Sequence, residues 1–227
     1  MSNHTLAHTR SRFSCINVFD NTQGEAIRQI CKYCKLDLVD YRFKSRDEFV
    51  KMKPDLAFGQ VPALEVSKNG KTSWLFQSAS ILRFLAKISG KDSLYPKDPI
   101  VAAHVDMICD QEADAFQGFR VARYKDRFGF SSETVLTPDV EKNVKATINR
   151  DIIPRHLGYM ERLLKSGGTG YLAGTKEPTI ADFFWYPTFV AVADGWTGNP
   201  KALDSFPLIQ SFMVKFKALD DTLRESN

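Results

Sequence analysis

No tyrosine occurs before Tyr33, so the first part of this 227-residue chain offers no phenol to any chemistry performed there. Cysteine is scarce. Cys15, Cys31, Cys34 and Cys109 are the only 4, too few and too scattered for a disulfide framework, and a reducing compartment, the cytoplasm, is expected. Neither sign of charge dominates: the formal net charge of +4 is small and evenly spread, which argues against nucleic acid as a partner. Long hydrophobic runs are missing as well. The longest, 183–193, carries Pro187 and falls far short of a membrane span, so no membrane association is expected. Residues 1–12 lack acids and an apolar core, so no secretory leader is expected. With Arg10 and Arg12 they have only weak organelle-targeting character and are expected to form a flexible tail. Asn3-His4-Thr5 is a glycosylation acceptor only in a secreted chain. No repeat or low-complexity segment is present.

What is present centres on residues 58–87. Residues 61–66 read as a short strand, Asn69-Gly70 as a two-residue hairpin turn, and 72–76 as the returning strand. Gln77-Ser78 then opens a helix, with Ser78 expected at the N-cap and Ile81, Leu82 and Leu85 at helical spacing. Pro62 has no N–H to give to a ladder, so the backbone of Val61 is available to something outside the sheet. A helix start at Ser78 offers N–H groups and a hydroxyl to a carboxylate. Together these describe a groove for an extended, peptide-like ligand with an anionic end.

The rest of the chain frames that groove. Residues 13–19 read as a first strand, 20–24 as a loop, 25–35 as a helix, 38–43 as a second strand and 46–52 as a short helix before Lys53-Pro54. Cys31 and Cys34 form a CxxC, but late in a helix and on its apolar face with Ile27 and Ile30. They read as small core residues, not as a redox pair, which would open a helix after a strand. The order is βαβαββα over 13–88, followed by a Gly-, Pro- and charge-rich linker at 89–99. The second domain, 100–227, is all helical: one long helix over 101–128, another over 139–164, a helix opened by Thr179-Ile180-Ala181-Asp182, and a last one over 206–219.

Gln60-Val61-Pro62 and Gln77-Ser78 resemble the glutathione site of the cytosolic glutathione transferases. Tyr171-Leu172-Ala173-Gly174 and Thr179-Ile180-Ala181-Asp182-Phe183 resemble the buried capping motif of that family's helical domain. Gly24-Glu25-Ala26-Ile27-Arg28 and Asp40-Tyr41-Arg42-Phe43 are similar to the sigma class, which includes the prostaglandin D synthases and the lens S-crystallins. The resemblance implies a thioredoxin-like domain joined to an all-helical domain, a homodimer, and glutathione as co-substrate with a small hydrophobic electrophile. It implies that Pro62 is cis, that Val61 pairs with the cysteinyl backbone, and that Gln77-Ser78 hold the γ-glutamyl end. Lys53 matches the position that pairs with the glycyl carboxylate, and Phe49 falls where sigma members place a tryptophan. On the first long helix, Asp114 matches the acid that reaches the neighbouring subunit's γ-glutamyl ammonium, and Ala113 replaces an acid of a cation-binding cluster, so no metal is expected. Phe116, Phe119 and Tyr124 are candidates for the second substrate's pocket.

The chain departs from the family at the sulfur. Only a thiolate attacks electrophiles well, so a donor must point at it. Sigma enzymes use a tyrosine in the first strand, and the ungapped register puts Asn17 there. Asn21 and Thr22 in the following loop are the alternative donors, as in classes that use a loop residue. Two functions follow from this: a transferase or isomerase, slow because an amide replaces the phenol, or a non-catalytic glutathione or ligand binder.

Overall fold

The computed structural model describes residues 12–17, 23–123, 128–130 and 137–225. The chain divides into two compact units, Met1–Gly90 and Lys91–Asn227.

In the first unit the order is β1 (Arg12–Asn17), α1 (Gln23–Tyr33), β2 (Leu38–Arg42), α2 (Arg46–Met52), β3 (Ala63–Lys68), β4 (Lys71–Phe76) and α3 (Ser78–Ile88). The sheet runs β2-β1-β3-β4, with β1 parallel to β2 and the other pairs antiparallel. A parallel pair needs a crossover, which α1 supplies. Asn69 and Gly70 take φ of 52° and 73°, as the tight turn between β3 and β4 requires. The apolar faces of α1 (Ile27, Ile30, Cys31) and α3 (Ile81, Leu82, Leu85) are shut away with Cys15 and Leu64 of the sheet. Burying these side chains supplies most of the stability of such a layer, about 1.5–3 kcal/mol for each large aliphatic one.

Two expectations here need correction. β3 begins at Ala63, not at Val61, because Pro62 follows a cis bond and cannot donate to the ladder. Ser78 is not the N-cap: Gln77 is, with φ 66° and ψ 114°, and Ser78 is the first residue of α3. The left-handed turn at Gln77 takes the chain from strand to helix in one step.

The second unit holds α4 (Pro99–Arg123), α5 (Pro138–Thr147), α6 (Ile153–Gly167), α7 (Ile180–Ala193) and α8 (Pro207–Glu225). The expected single helix over 139–164 is instead α5 and α6 joined by a π turn, Ile148–Ile152, closed by Ile153 N–H on the Ile148 carbonyl. Pro154 has no N–H for the carbonyl four residues back, and the wider turn just before it absorbs that loss. α4 starts at Pro99, where the Asp98 carboxylate accepts from the N–H groups of Ile100 and Val101 at 2.9 and 3.0 Å.

α7 is the centre of this unit and is buried along nearly its whole length. Its aromatic rings interlock with α8: Phe183 lies 4.9 Å from Phe216 and Phe189 5.7 Å from Phe212 between ring centroids. The Trp185 indole donates to the Ile108 carbonyl of α4 at 2.7 Å. Thr179 and Asp182 form the capping box read from the sequence. The fully buried Asp182 carboxylate accepts from Leu172 N–H, Thr179 N–H and the Thr179 hydroxyl at 2.8, 2.7 and 2.9 Å. At the far side, the Glu161 carboxylate accepts from the first N–H groups of α8, Leu208 and Ile209, both at 2.9 Å. Among the described residues no helix is long and apolar enough to cross a membrane.

Candidate functional site

Register brings the candidate residues to one end of the sheet. β1 pairs with β3 through Ile16↔Ala63, and β3 with β4 through Ala63↔Phe76. One step beyond each of these lie Asn17, Pro62 and Gln77, and one step further Val61 and Ser78. Segments far apart in sequence thus end side by side at the C-terminal edge of β1 and β4 and the N-terminal edge of β3.

Each segment has its own reason to leave the ladder there. The Val61–Pro62 bond is cis, so the chain enters β3 with Val61 outside the strand. Gln77 is exposed and left-handed, a conformation rare for a residue with a side chain. The first intrahelical bond of α3 runs from Ile81 N–H to the Gln77 carbonyl at 3.0 Å. The N–H groups of Ser78, Ala79 and Ser80 therefore point out of the helix start, where partial positive charge collects. A half-buried serine hydroxyl sits among them.

Lys53 reaches the same loop. It begins a single 3₁₀ turn, Lys53–Asp55, directly after α2, and its N–H donates to the Phe49 carbonyl. Its stem lies along Gly59: a Cβ there would stand 3.2 Å from Lys53 Cε. Gly59 has φ 57°, so glycine is required both for the turn and for the close approach of the lysine. The exposed Gln60 comes next. The Phe49 ring, on the preceding α2, packs edge-on against Phe43 at 5.5 Å between centroids.

A buried ion network anchors the start of α1. Arg28, 5 % exposed, donates to Glu25 at 2.7 Å and to Asp40 of β2 at 3.3 Å, while Arg42 donates to Asp40 at 2.6 Å. A buried guanidinium is tolerated only when paired in this way. The network ties α1 to β2. Asn17 is the last residue of β1, opposite Arg42. Asn21 and Thr22 lie outside the described residues, as does Tyr124.

All four cysteines are free thiols. Burial pushes the Cys15 thiol up to about 12, and that of Cys31 up as well, so neither supplies a thiolate near neutral pH. On α4, Asp106 accepts from the Tyr95 hydroxyl at 2.8 Å, while Asp110 and Asp114 are exposed. Phe116 is core, and Phe119 packs near the exposed Trp196 at 6.1 Å between centroids. A groove of about 330 Å³ opens between α4 and α6, floored by Ile108 and Met160 and bordered by Met107, Gln111, Tyr159 and Leu163. Among the described residues no group of three or more His, Cys, Asp or Glu is gathered as a metal site would need.

Sequence reasoning missed Gln77's conformation, the Lys53–Gly59 contact and the Arg28 network. A glycine placed before Gln60-Val61-Pro62 was the available signal for the second. The first leaves no trace in composition, because glutamine gives no hint of a left-handed backbone.

Residues 131–221 match the family described as glutathione S-transferase, C-terminal domain. The chain is 31% identical over 195 residues to a probable glutathione S-transferase 7 of Caenorhabditis elegans, covering 85% of this chain and 84% of that one. Among solved structures it is similar to Na-GST-3 of the hookworm Necator americanus, described as monomeric, at 28% identity and TM-score 0.69, over 95% of this chain and 97% of that one. It is also similar to a Nu-class transferase of Haemonchus contortus, at 26% identity and TM-score 0.68, over 95% and 96% of the two chains.

Proposed function

The chain belongs to the glutathione S-transferase family, and from that premise we propose that it binds glutathione at this end of the sheet and adds its thiol to small hydrophobic electrophiles. The observation that carries this reading is the cis Val61–Pro62 bond set beside Gln77-Ser78 by the β3–β4 register. Val61 then offers its main chain to the cysteinyl unit as one more strand would. Gln77, the Ser78 hydroxyl and the N–H groups of the α3 start take the γ-glutamyl carboxylate. Lys53, held along Gly59 beside Gln60, takes the glycyl carboxylate; Phe49 adds ring surface without a donor. Asn17, Asn21 and Thr22 are the donors proposed for the sulfur.

The reaction is addition of the bound thiolate to an electrophilic carbon, with loss of the leaving group where the substrate carries one. We assign the chain to the sigma class on Gly24–Arg28 and Asp40–Phe43, with 13–88 as the glutathione-binding domain and 100–227 as the helical one. A homodimer completes the site, Asp114 of one copy meeting the γ-glutamyl ammonium of the other. The exposure of Asp114 and of Met107 at 52 % on α4 and, in the first unit, of Phe58 at 60 % supports faces that a second copy would cover. The free cysteines agree with a cytoplasmic location.

One observation favours a second reading, a glutathione or ligand binder that does little chemistry: no tyrosine precedes Tyr33. The transferase reading and the glutathione-binder form of the second both require glutathione binding. The test is retention of the whole chain on immobilised glutathione and its release by free glutathione. Passage without retention overturns both of these and leaves only a binder of another ligand.

A further inference from the structure

We infer that Asn69 is a site of spontaneous covalent modification, its side-chain amide lost to attack by the backbone nitrogen of Gly70, and that the product loosens the hairpin on which the binding site is built. The two residues are the entire loop between β3 and β4: Lys68 pairs with Lys71, and only Asn69 and Gly70 lie between. Both are exposed, and a Cβ at Gly70 would meet nothing within 4 Å. The turn is therefore open to solvent base, and Gly70 has no side chain of its own to hinder attack by its nitrogen on Asn69. Lys68 and Lys71, both exposed, flank the turn as its closing pair, and their positive charge near the turn favours the amide anion that must form.

The atoms balance with water as the one co-reactant. Base removes the Gly70 amide proton, and the nitrogen bonds to Asn69 Cγ. The Cγ–Nδ2 bond breaks, and ammonia leaves. Water then opens the five-membered imide. Cleavage at Cγ gives aspartate on the ordinary backbone, and cleavage at the main-chain carbonyl gives isoaspartate, with the chain routed through the former side chain.

The isoaspartate form matters to the site. It adds a methylene to the main chain of a two-residue turn, and turn length sets hairpin register. The same ladder, six pairs below the turn, holds Ala63 opposite Phe76 and so sets Val61–Pro62 beside Gln77-Ser78. This second consequence rests on the glutathione reading; the chemistry at Asn69 does not.

The experiment is incubation of the whole folded chain in mildly alkaline buffer, followed by peptide mapping. The expected result is a gain of one mass unit at Asn69 ahead of every other asparagine, faster at higher pH, with isoaspartate among the products. The Asn69→Gly variant, which suits the turn, should show no such change there. An Asn69 that stays intact in the folded chain while a short peptide of the same sequence converts, or another asparagine that converts first, overturns the inference. The aged, more acidic fraction is then compared on immobilised glutathione with Asn69→Asp, which has the same charge on an ordinary backbone. Weaker retention of the aged fraction supports the link to the site; equal retention refutes that link. Failure of both to bind refutes the glutathione reading and leaves the mass result standing.

Discussion

Gln77 and Ser78 show how much one backbone conformation decides. With φ 66° at Gln77, the chain leaves β4 and enters α3 without a loop, and Ser78 becomes the first residue of the helix instead of its cap. A left-handed glutamine costs of order 1–3 kcal/mol, and such residues gather where a ligand is held. The sulfur donor is the other residue-scale question. An amide is a weaker acid than a phenol, so bound glutathione should keep a higher thiol pKa than it would beside tyrosine, and activity with an aryl halide should be low at neutral pH and climb with pH. Titration of the bound thiolate by its ultraviolet absorbance in Asn17→Ala, Asn21→Ala and Thr22→Ala checks this. At least one variant should raise the thiol pKa and slow the reaction. Unchanged values in all three would remove these side chains from the role.

At the scale of elements, the β3–β4 hairpin and the α7 cap were legible because short-range chemistry dictates both. Asn-Gly supplies two positive φ angles, and Thr179 with Asp182 supplies reciprocal caps. The π turn before Pro154 and the true start of β3 were not legible. Each depends on how a proline's missing N–H is absorbed, which is settled by neighbouring turns. Of the candidate site, Lys53, Pro62 and Ser78 were nameable as candidates from the sequence, whereas the approach of Lys53 to Gly59 needs the fold. The α7 cap makes a prediction of its own. Burial pushes the Asp182 carboxyl up to about 6 from the ordinary 3.8, against the hydrogen-bond donors that favour the anion. The native state therefore holds this proton more tightly than the unfolded chain does. The stabilisation that results is present below about pH 4 and is lost as pH rises through about 6. Asp182→Asn lacks an oxygen for one of its donors and should lose about 1–3 kcal/mol. Its melting-temperature deficit should be widest near about pH 4 and shrink toward about pH 7. A deficit that grows over that range would contradict the assignment.

At the scale of the whole molecule, the two units divide the work. The helical unit is organised around a buried helix, α7, with an aromatic core and a capping box at its start. The sheet unit gathers a cis peptide, a strained glutamine, a helix start and a lysine at one edge. The glutathione reading predicts that this edge holds the γ-glutamyl carboxylate through Ser78, so calorimetric titration of glutathione into wild type and Ser78→Ala is the most direct measurement. The account predicts one glutathione per chain in the wild type and an affinity about 5- to 150-fold weaker in the variant, the equivalent of about 1–3 kcal/mol for a lost charge-assisted hydrogen bond. Equal affinity in a folded Ser78→Ala variant, or no binding by the wild type, would contradict it.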